Sequence, residues 1–545
     1  MTTTGTRDGA ALMPAAPAAA QLDCLLVHVP KFQTYYPPLN VYQSCNRMTM
    51  GLLALADLLD RNGYNTRLVH AGIERVLDKK WSFAAYLRAH RPKVVGFSLH
   101  FHHGLVDTFE FVRQARAALP DALIFLGGFT ASFFAREILE MLPEADAVVR
   151  GDAEQPLLQL LEAAVRSGHR DFGAIPNVLW RRDAALVENE HSYVIDEDTL
   201  NDLVFTRFEL MEHGGMYRDM PKAFMRTNLP SGLNRKLNRI LNKDRSGIYW
   251  GLPVGRGCVF TCFYCGGGAK AQWRINRRKG AIFRKPEKVI ETILALKRQG
   301  YRGCYISYDP QPMSQDFYVR LFRMMREQNI EFGIMFSAWR LASEEFLDAF
   351  AKLPGTGHAY LISPETGSDT LRKKARSDCF TTEQLLASVG YADKLGIKTR
   401  VYFSIGALEH SESEFQETIA LEQELLRRFR HVEVEAFVIE AEPGAPWHLD
   451  PESYDITLHR KTLADFLRDH SDPTYSSMTS LGYTSAFFGD RDMAPAEFNR
   501  RMLELRCRYF CKQRMICTLM RGFWAVCRVL GIAPRPRRRT RGARA

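Results

Sequence analysis

Gly257-Cys258-Val259-Phe260-Thr261-Cys262-Phe263-Tyr264-Cys265 places three thiols within eight residues. Eleven cysteines scattered at random through 545 residues would give this CxxxCxxC spacing only about 0.004 times. The stretch follows an apolar run, Ile248–Gly255, that reads as a strand, so the thiols occupy the loop that leaves it. Three thiolates so close can converge on one iron–sulfur cluster, and a cubane with three protein ligands keeps one iron open to another group. Zinc is the alternative occupant. It takes four ligands in structural sites, usually as two pairs, and no nearby Cys or His supplies the second pair.

Downstream, apolar runs alternate with amphipathic ones. Strands are predicted at Ile248–Gly255, Cys304–Tyr308, Glu331–Ser337, His358–Pro364, Lys398–Ile405 and Val432–Ile439. Helices are predicted at Pro286–Gln299, Gln315–Gln328, Glu344–Ala351, Thr382–Leu395 and Glu412–Arg428. Six βα repeats suit a partial (β/α)6 barrel, with chemistry at the carboxyl ends of its strands.

The cysteine loop, with an aromatic (Tyr264) before its last thiol, resembles that of the radical S-adenosylmethionine (SAM) superfamily. The resemblance implies a 4Fe-4S cluster on Cys258, Cys262 and Cys265, whose open iron is chelated by SAM. Reductive cleavage of the sulfonium would give a 5′-deoxyadenosyl radical, supplied with electrons by an external donor of flavodoxin or ferredoxin type. Other strand ends fall where this family places its SAM contacts: Asp309 after the second strand, Glu365-Thr366-Gly367-Ser368 after the fourth, and Phe403-Ser404-Ile405-Gly406 after the fifth. The resemblance thus assigns SAM binding to Tyr264, Asp309, Glu365, Ser404 and Ile405. It covers roughly residues 248–446 and ends on Pro443-Gly444-Ala445-Pro446.

Upstream, strands at Asp23–Pro30, Asn65–Ala71, Lys93–Phe101, Ala122–Phe129 and Ala145–Gly151 alternate with helices at Met48–Asn62, Phe83–His90, Leu105–Leu119, Phe133–Met141 and Gln155–Arg166. Such alternation builds a doubly wound, Rossmann-like parallel sheet, here over residues 22–170. Its first turn, Pro30 to Gln43, has no glycine, which argues against NAD or FAD. Gly96-Phe97-Ser98, Gly127-Gly128 and Arg150-Gly151-Asp152-Ala153-Glu154 instead resemble the cobalamin-binding domain of one radical SAM subgroup. That likeness assigns cobalamin contacts to Ser98, Gly127, Gly128, Arg150, Gly151 and Glu154. No Asp-x-His-x-x-Gly motif is present, so cobalt would lack a histidine lower ligand. A vestigial domain that binds nothing is the alternative.

The remaining segments read as a disordered leader (1–21), a linker (171–247) holding a hairpin at Ile175–Val194, a helical carboxyl-terminal domain (447–532) and a basic tail (533–545). The net charge of +11 owes six units to Arg535, Arg537, Arg538, Arg539, Arg541 and Arg544. Such a tail binds nucleic acid or anionic membrane in some proteins and is a solvated end in others. Without it the charge balance is ordinary, and no nucleic-acid partner is expected. No apolar run of about eighteen residues appears, so no transmembrane helix is expected. The absence of a signal-like start and the uneven cysteines point to the cytoplasm. Cys507, Cys511, Cys517 and Cys527 share the basic amphipathic stretch Phe498–Val529. A single helix cannot converge all four on one metal, and core packing is their plainer use.

The subgroup resemblance implies a methyl transfer to a carbon of a small molecule, expected to be an antibiotic or other secondary-metabolite intermediate or a tetrapyrrole-like one. One SAM would methylate the corrinoid and a second would make the radical. A cobalamin-dependent rearrangement, ring contraction or oxidative cyclisation is the competing reading, and a non-catalytic iron–sulfur or corrinoid carrier the third.

Overall fold

Alternate residues of the amino-terminal strands are apolar on both sides, the pattern of strands covered on two faces. The computed structural model describes residues 21–32, 41–42, 48–78, 80–218, 224–225, 249–306, 316–376, 379–406, 409, 411–472, 481–490 and 492–510. Its first half contains β1 (Cys24–His28), α1 (Met50–Arg61), β2 (Thr66–His70), β3 (Val94–Ser98), α2 (Leu105–Ala118), β4 (Leu123–Gly127), β5 (Ala147–Val149), α3 (Glu154–Leu161), β6 (Val178–Arg182) and β7 (Ala185–Glu188). The sheet order is β2-β1-β3-β4-β5-β6-β7. The first five strands are parallel and the last two antiparallel.

Leu26, Val94, Phe125 and Val149 face α1 and α3. Leu25, Val27, Val95, Phe97, Ile124, Leu126 and Val148 face α2 on the other side. The sheet is therefore doubly wound, as expected. The hairpin assigned to the linker belongs instead to this sheet, which runs on to Glu188 and covers the edge that β5 would otherwise expose. The linker's described part is also packed: Leu200, Leu203 and Phe205 bury against Ala54 and Ile195.

The second half contains β8 (Tyr249–Gly251), β9 (Gly255–Gly257), α4 (Ala269–Asn276), β10 (Ala281–Phe283), α5 (Pro286–Arg298), β11 (Gly303–Ile306), α6 (Asp316–Glu327), β12 (Gly333–Ala338), α7 (Glu344–Ala351), β13 (Ala359–Glu365), α8 (Asp369–Ala375), α9 (Thr382–Lys394), β14 (Thr399–Ile405), α10 (Glu412–Arg428) and β15 (Val432–Val438). Six strands pair in chain order, β8-β11-β12-β13-β14-β15, all parallel. This is the expected six-repeat partial barrel.

The first barrel strand is shorter than expected. Pro253 has no N–H to extend a ladder, so the run Ile248–Gly255 breaks after Gly251. The chain then forms β9, which pairs antiparallel with β10, and the cysteine loop leaves from this side ribbon. Beyond Pro446 the described residues are mainly helical, with α11 (Leu463–Ser471) and α12 (Pro495–Tyr509). It also holds a small antiparallel pair, β16 (Ile456–Leu458) and β17 (Tyr483–Ser485), that the sequence reading did not foresee. Asp309, Cys511, Cys517, Cys527, the leader up to residue 20 and the basic tail lie outside the described residues. No helix among the described residues is long and apolar enough to cross a membrane.

Candidate functional site

The cysteine loop is held by backbone bonds on both sides. Gly257 adopts φ 95°, and a Cβ there would lie 2.3 Å from the Gly280 carbonyl, so only glycine can lead into the loop. Ala269 N–H donates to the Phe260 carbonyl, and Trp447 N–H to that of Phe263. The Phe263 ring stacks on Tyr454 at 5.0 Å and meets Trp447 edge-on.

Within this frame the three thiols couple electrostatically to one another. Burial pushes the Cys258 thiol up to about 11 and that of Cys265 up to about 12, and raises Cys262 as well. The Phe260 N–H points at the Cys258 sulfur at 3.4 Å and the Gly267 N–H at the Cys265 sulfur at 3.3 Å. Clustered thiols that resist ionisation on their own, yet have amides aimed at their sulfurs, suit a metal whose charge draws off the protons. The donor set fits the cluster.

The end of β13 brings the fourth-strand turn to this loop. Glu365 sits at φ 67°, a rare conformation for a residue with a side chain, at an irregularity in the β13–β14 register. Its carboxylate accepts from the Ser404 hydroxyl and from the Tyr264 hydroxyl, whose pKa burial raises far above the usual range. The Arg376 guanidinium lies 4.0 Å from it. Arg372 bonds the Pro364 and Thr366 carbonyls at 3.1 and 2.8 Å and so fixes the turn from beneath. Thus Tyr264, Glu365 and Ser404 meet beside Cys262, and Ile405 is buried next to them at the end of β14. Arg372 and Arg376 went unseen in the sequence, because an arginine in a short polar helix carries no periodic signal.

On the amino-terminal sheet, Ser98 and Gly127 are register partners at the carboxyl ends of β3 and β4. Gly128 adopts φ 106°, and a Cβ there would press on the His100 backbone at 2.8 Å. The Ser98 and Thr49 hydroxyls lie 3.4 Å apart, and among the described residues beyond its own helical turn no heavy atom lies within 4 Å of where a Cβ would stand at Gly51. This small-residue edge with hydroxyls and open space fits a bulky corrinoid.

The other assigned residues are placed differently. The Arg150 guanidinium donates to Glu188 at 2.5 Å and to the Asn189 carbonyl at 2.7 Å. Gly151 N–H donates to Ser132 at 2.9 Å. Glu154 accepts from Arg256 at 2.6 Å, and Asp152 accepts from Arg256 at 2.9 Å and from Arg278. These last contacts join the amino-terminal sheet to the ribbon that leads into the cysteine loop.

The two candidate edges also meet at Glu442. It lies against Gly266 of the cysteine loop, where a Cβ would come within 3.0 Å of the Glu442 side chain, and its carboxylate is 3.4 Å from His102 in the loop after β3.

Comparison with known proteins bears on both halves. The family profile "Radical SAM superfamily" matches residues 252–421, and "B12 binding domain" matches residues 47–161. A hopanoid C-3 methylase of Methylococcus capsulatus is 33% identical over 131 residues, 24% of this chain and 24% of the methylase. An anaerobic magnesium-protoporphyrin IX monomethyl ester cyclase of Rubrivivax gelatinosus is 24% identical over 315 residues, 56% of this chain and 49% of the cyclase. The chain thus spans half or less of these curated relatives. Among solved structures, the radical SAM methyltransferase TsrM from Kitasatospora setae, with cobalamin and a [4Fe-4S] cluster bound, superposes with a TM-score of 0.58 at 15% identity, over 82% of this chain and 84% of that one. The cobalamin-dependent SAM radical enzyme OxsB gives a TM-score of 0.57 at 13% identity, over 89% and 66%. Both likenesses are of fold.

Proposed function

Because the chain belongs to the cobalamin-binding radical SAM enzymes, with a 4Fe-4S cluster, SAM and cobalamin as cofactors, we propose that it transfers a methyl group to carbon in a small molecule. When bound, these groups supply a low-potential electron, a hydrogen-abstracting radical and a transferable methyl.

Cys258, Cys262 and Cys265 would hold the cluster, and the Phe260 and Gly267 amides would stabilise its sulfur charge. Glu365, oriented by Tyr264 and Ser404, presents a buried carboxylate beside the loop, suited to an ammonium group of SAM. Ile405 offers an apolar wall. Ser98, Gly127 and Gly128 would line the corrinoid edge. Arg150, Gly151 and Glu154 would shape that edge at one remove, since their groups are engaged by protein. We take 22–170 plus the β6–β7 hairpin as the cobalamin unit, 248–446 as the radical unit and 447–532 as the cap.

The observation that carries this reading is the meeting of the two edges at Glu442. A methyl donor and a radical generator must address one substrate carbon, and that requires their sites to face each other. The identity to a methylase points the same way. The longer stretch shared with the cyclases supports the second reading, a radical cyclisation without methyl transfer.

The test is to incubate the anaerobically reconstituted enzyme with methyl-labelled SAM and candidate substrates. Methyl transfer should give S-adenosylhomocysteine and 5′-deoxyadenosine in step, with label in the product. 5′-Deoxyadenosine alone, with the substrate mass unchanged or reduced by two hydrogens, would overturn it in favour of cyclisation or rearrangement.

A further inference from the structure

Apart from the cysteines, one other set of metal-binding side chains converges among the described residues. His102 and His103, in the loop after β3, stack their rings at 4.1 Å. The His103 Nε2 lies 3.0 Å from Oε2 of Glu440, just past the end of β15. One donor atom from each of His102, His103 and Glu440 lies within 4.8 Å of the other two. His102 and Glu440 are buried, at 1% and 7% exposure.

The groups behind these three are those that metal ligands require. A ligating imidazole bonds through its second nitrogen, and a ligating carboxylate through its second oxygen. His102 Nδ1 lies 2.8 Å from His470 Nε2 on α11, and Glu440 Oε1 takes a 2.5 Å bond from Arg460. His102 Nε2, deep in the protein, faces the Glu442 carboxylate at 3.4 Å. Three imidazoles and two carboxylates thus gather around one point, the arrangement a cation would organise.

We propose that His102, His103 and Glu440 bind a divalent transition ion of the zinc class, with His470 and Arg460 fixing the ligands from behind and Glu442 facing the open position. Two imidazoles and a carboxylate are a regular zinc donor set. The ion would tie the loop of the cobalamin unit to the last barrel strand, with the cap as its outer support. None of its ligands is one of the three cysteines, although Glu442 also borders their loop, and the site does not depend on the reaction proposed above.

To test it, protein carrying its reconstituted cluster is equilibrated with zinc sulfate and dialysed. Zinc per chain is then counted by mass spectrometry, and the zinc X-ray absorption edge reads the ligand shell. One zinc per chain is expected, with a nitrogen–oxygen shell at about 2.0–2.1 Å. His103→Ala and Glu440→Gln should each retain zinc at least tenfold more weakly, with iron content and cluster absorbance unchanged. If either loses its cluster, His102→Gln gives the same reading. A sulfur shell at about 2.3 Å, equal zinc in the variants, or no zinc in the unaltered protein would overturn the site.

Discussion

Glu365 is a charged residue in a backbone conformation that costs about 1–3 kcal/mol when the side chain is not glycine. Its place is therefore set by its surroundings, Arg372 beneath and Tyr264 and Ser404 above. Glu365→Gln keeps the side-chain shape and an acceptor oxygen, and should keep the cluster while slowing SAM cleavage tenfold or more, the worth of a charged hydrogen bond of about 1.5–3 kcal/mol. Unaltered cleavage would remove Glu365 from the site. Replacing Cys258, Cys262 or Cys265 by Ala should abolish the visible cluster absorbance, and a full cluster in the triple variant would refute the assignment. At this scale the sequence was most legible where spacing itself encodes chemistry, as in the cysteine loop. The partners of Glu365 were partly legible through strand-end motifs. Arg376 was hidden, because its contact to Glu365 depends on how α8 folds back over β13.

Elements with a strong apolar period were legible almost to the residue. Phe83–His90, Glu344–Ala351 and Glu412–Arg428 are helices at the bounds their patterns give. Short, polar α4 and α8 were not, since each buries only a few side chains and so shows no repeat. The β9–β10 ribbon was missed because Pro253 ends one strand and Gly255 begins another within an unbroken apolar run. That ribbon makes a sharp comparison between two glycines. Gly257→Ala sets a methyl against the Gly280 carbonyl at φ 95°, whereas Gly280 itself, at φ 72°, has nothing within 4 Å of its Cβ position. We expect Gly280→Ala to cost only the left-handed strain, about 1–2 kcal/mol. Gly257→Ala should cost more and lower the iron bound per chain. Equal iron in both variants, read by colorimetric assay, would show that the ribbon does not position the loop.

Across the whole molecule, Asp152 bonds both Arg256, two residues before the first cysteine, and the buried Arg278. The sequence showed Arg150-Gly151-Asp152-Ala153-Glu154 as a ligand turn because its strand-end position is legible. That two of its carboxylates reach across to another domain is not, since it depends on how the two sheets dock. Asp152→Asn should lower stability by about 3 kcal/mol or more, because it leaves buried guanidinium charge without its counterion. Thermal unfolding should show an earlier first transition, and an unshifted melt would mean that the bridge is dispensable. The same bridge bears on how such a chain could be recombined. A corrinoid unit grafted from a relative would bring its own residues to face Arg256 and Arg278, and one without matching acids would strand two cations beside the loop it is meant to serve. Such a graft would therefore need acids at the positions of Asp152 and Glu154 to keep both arginines paired.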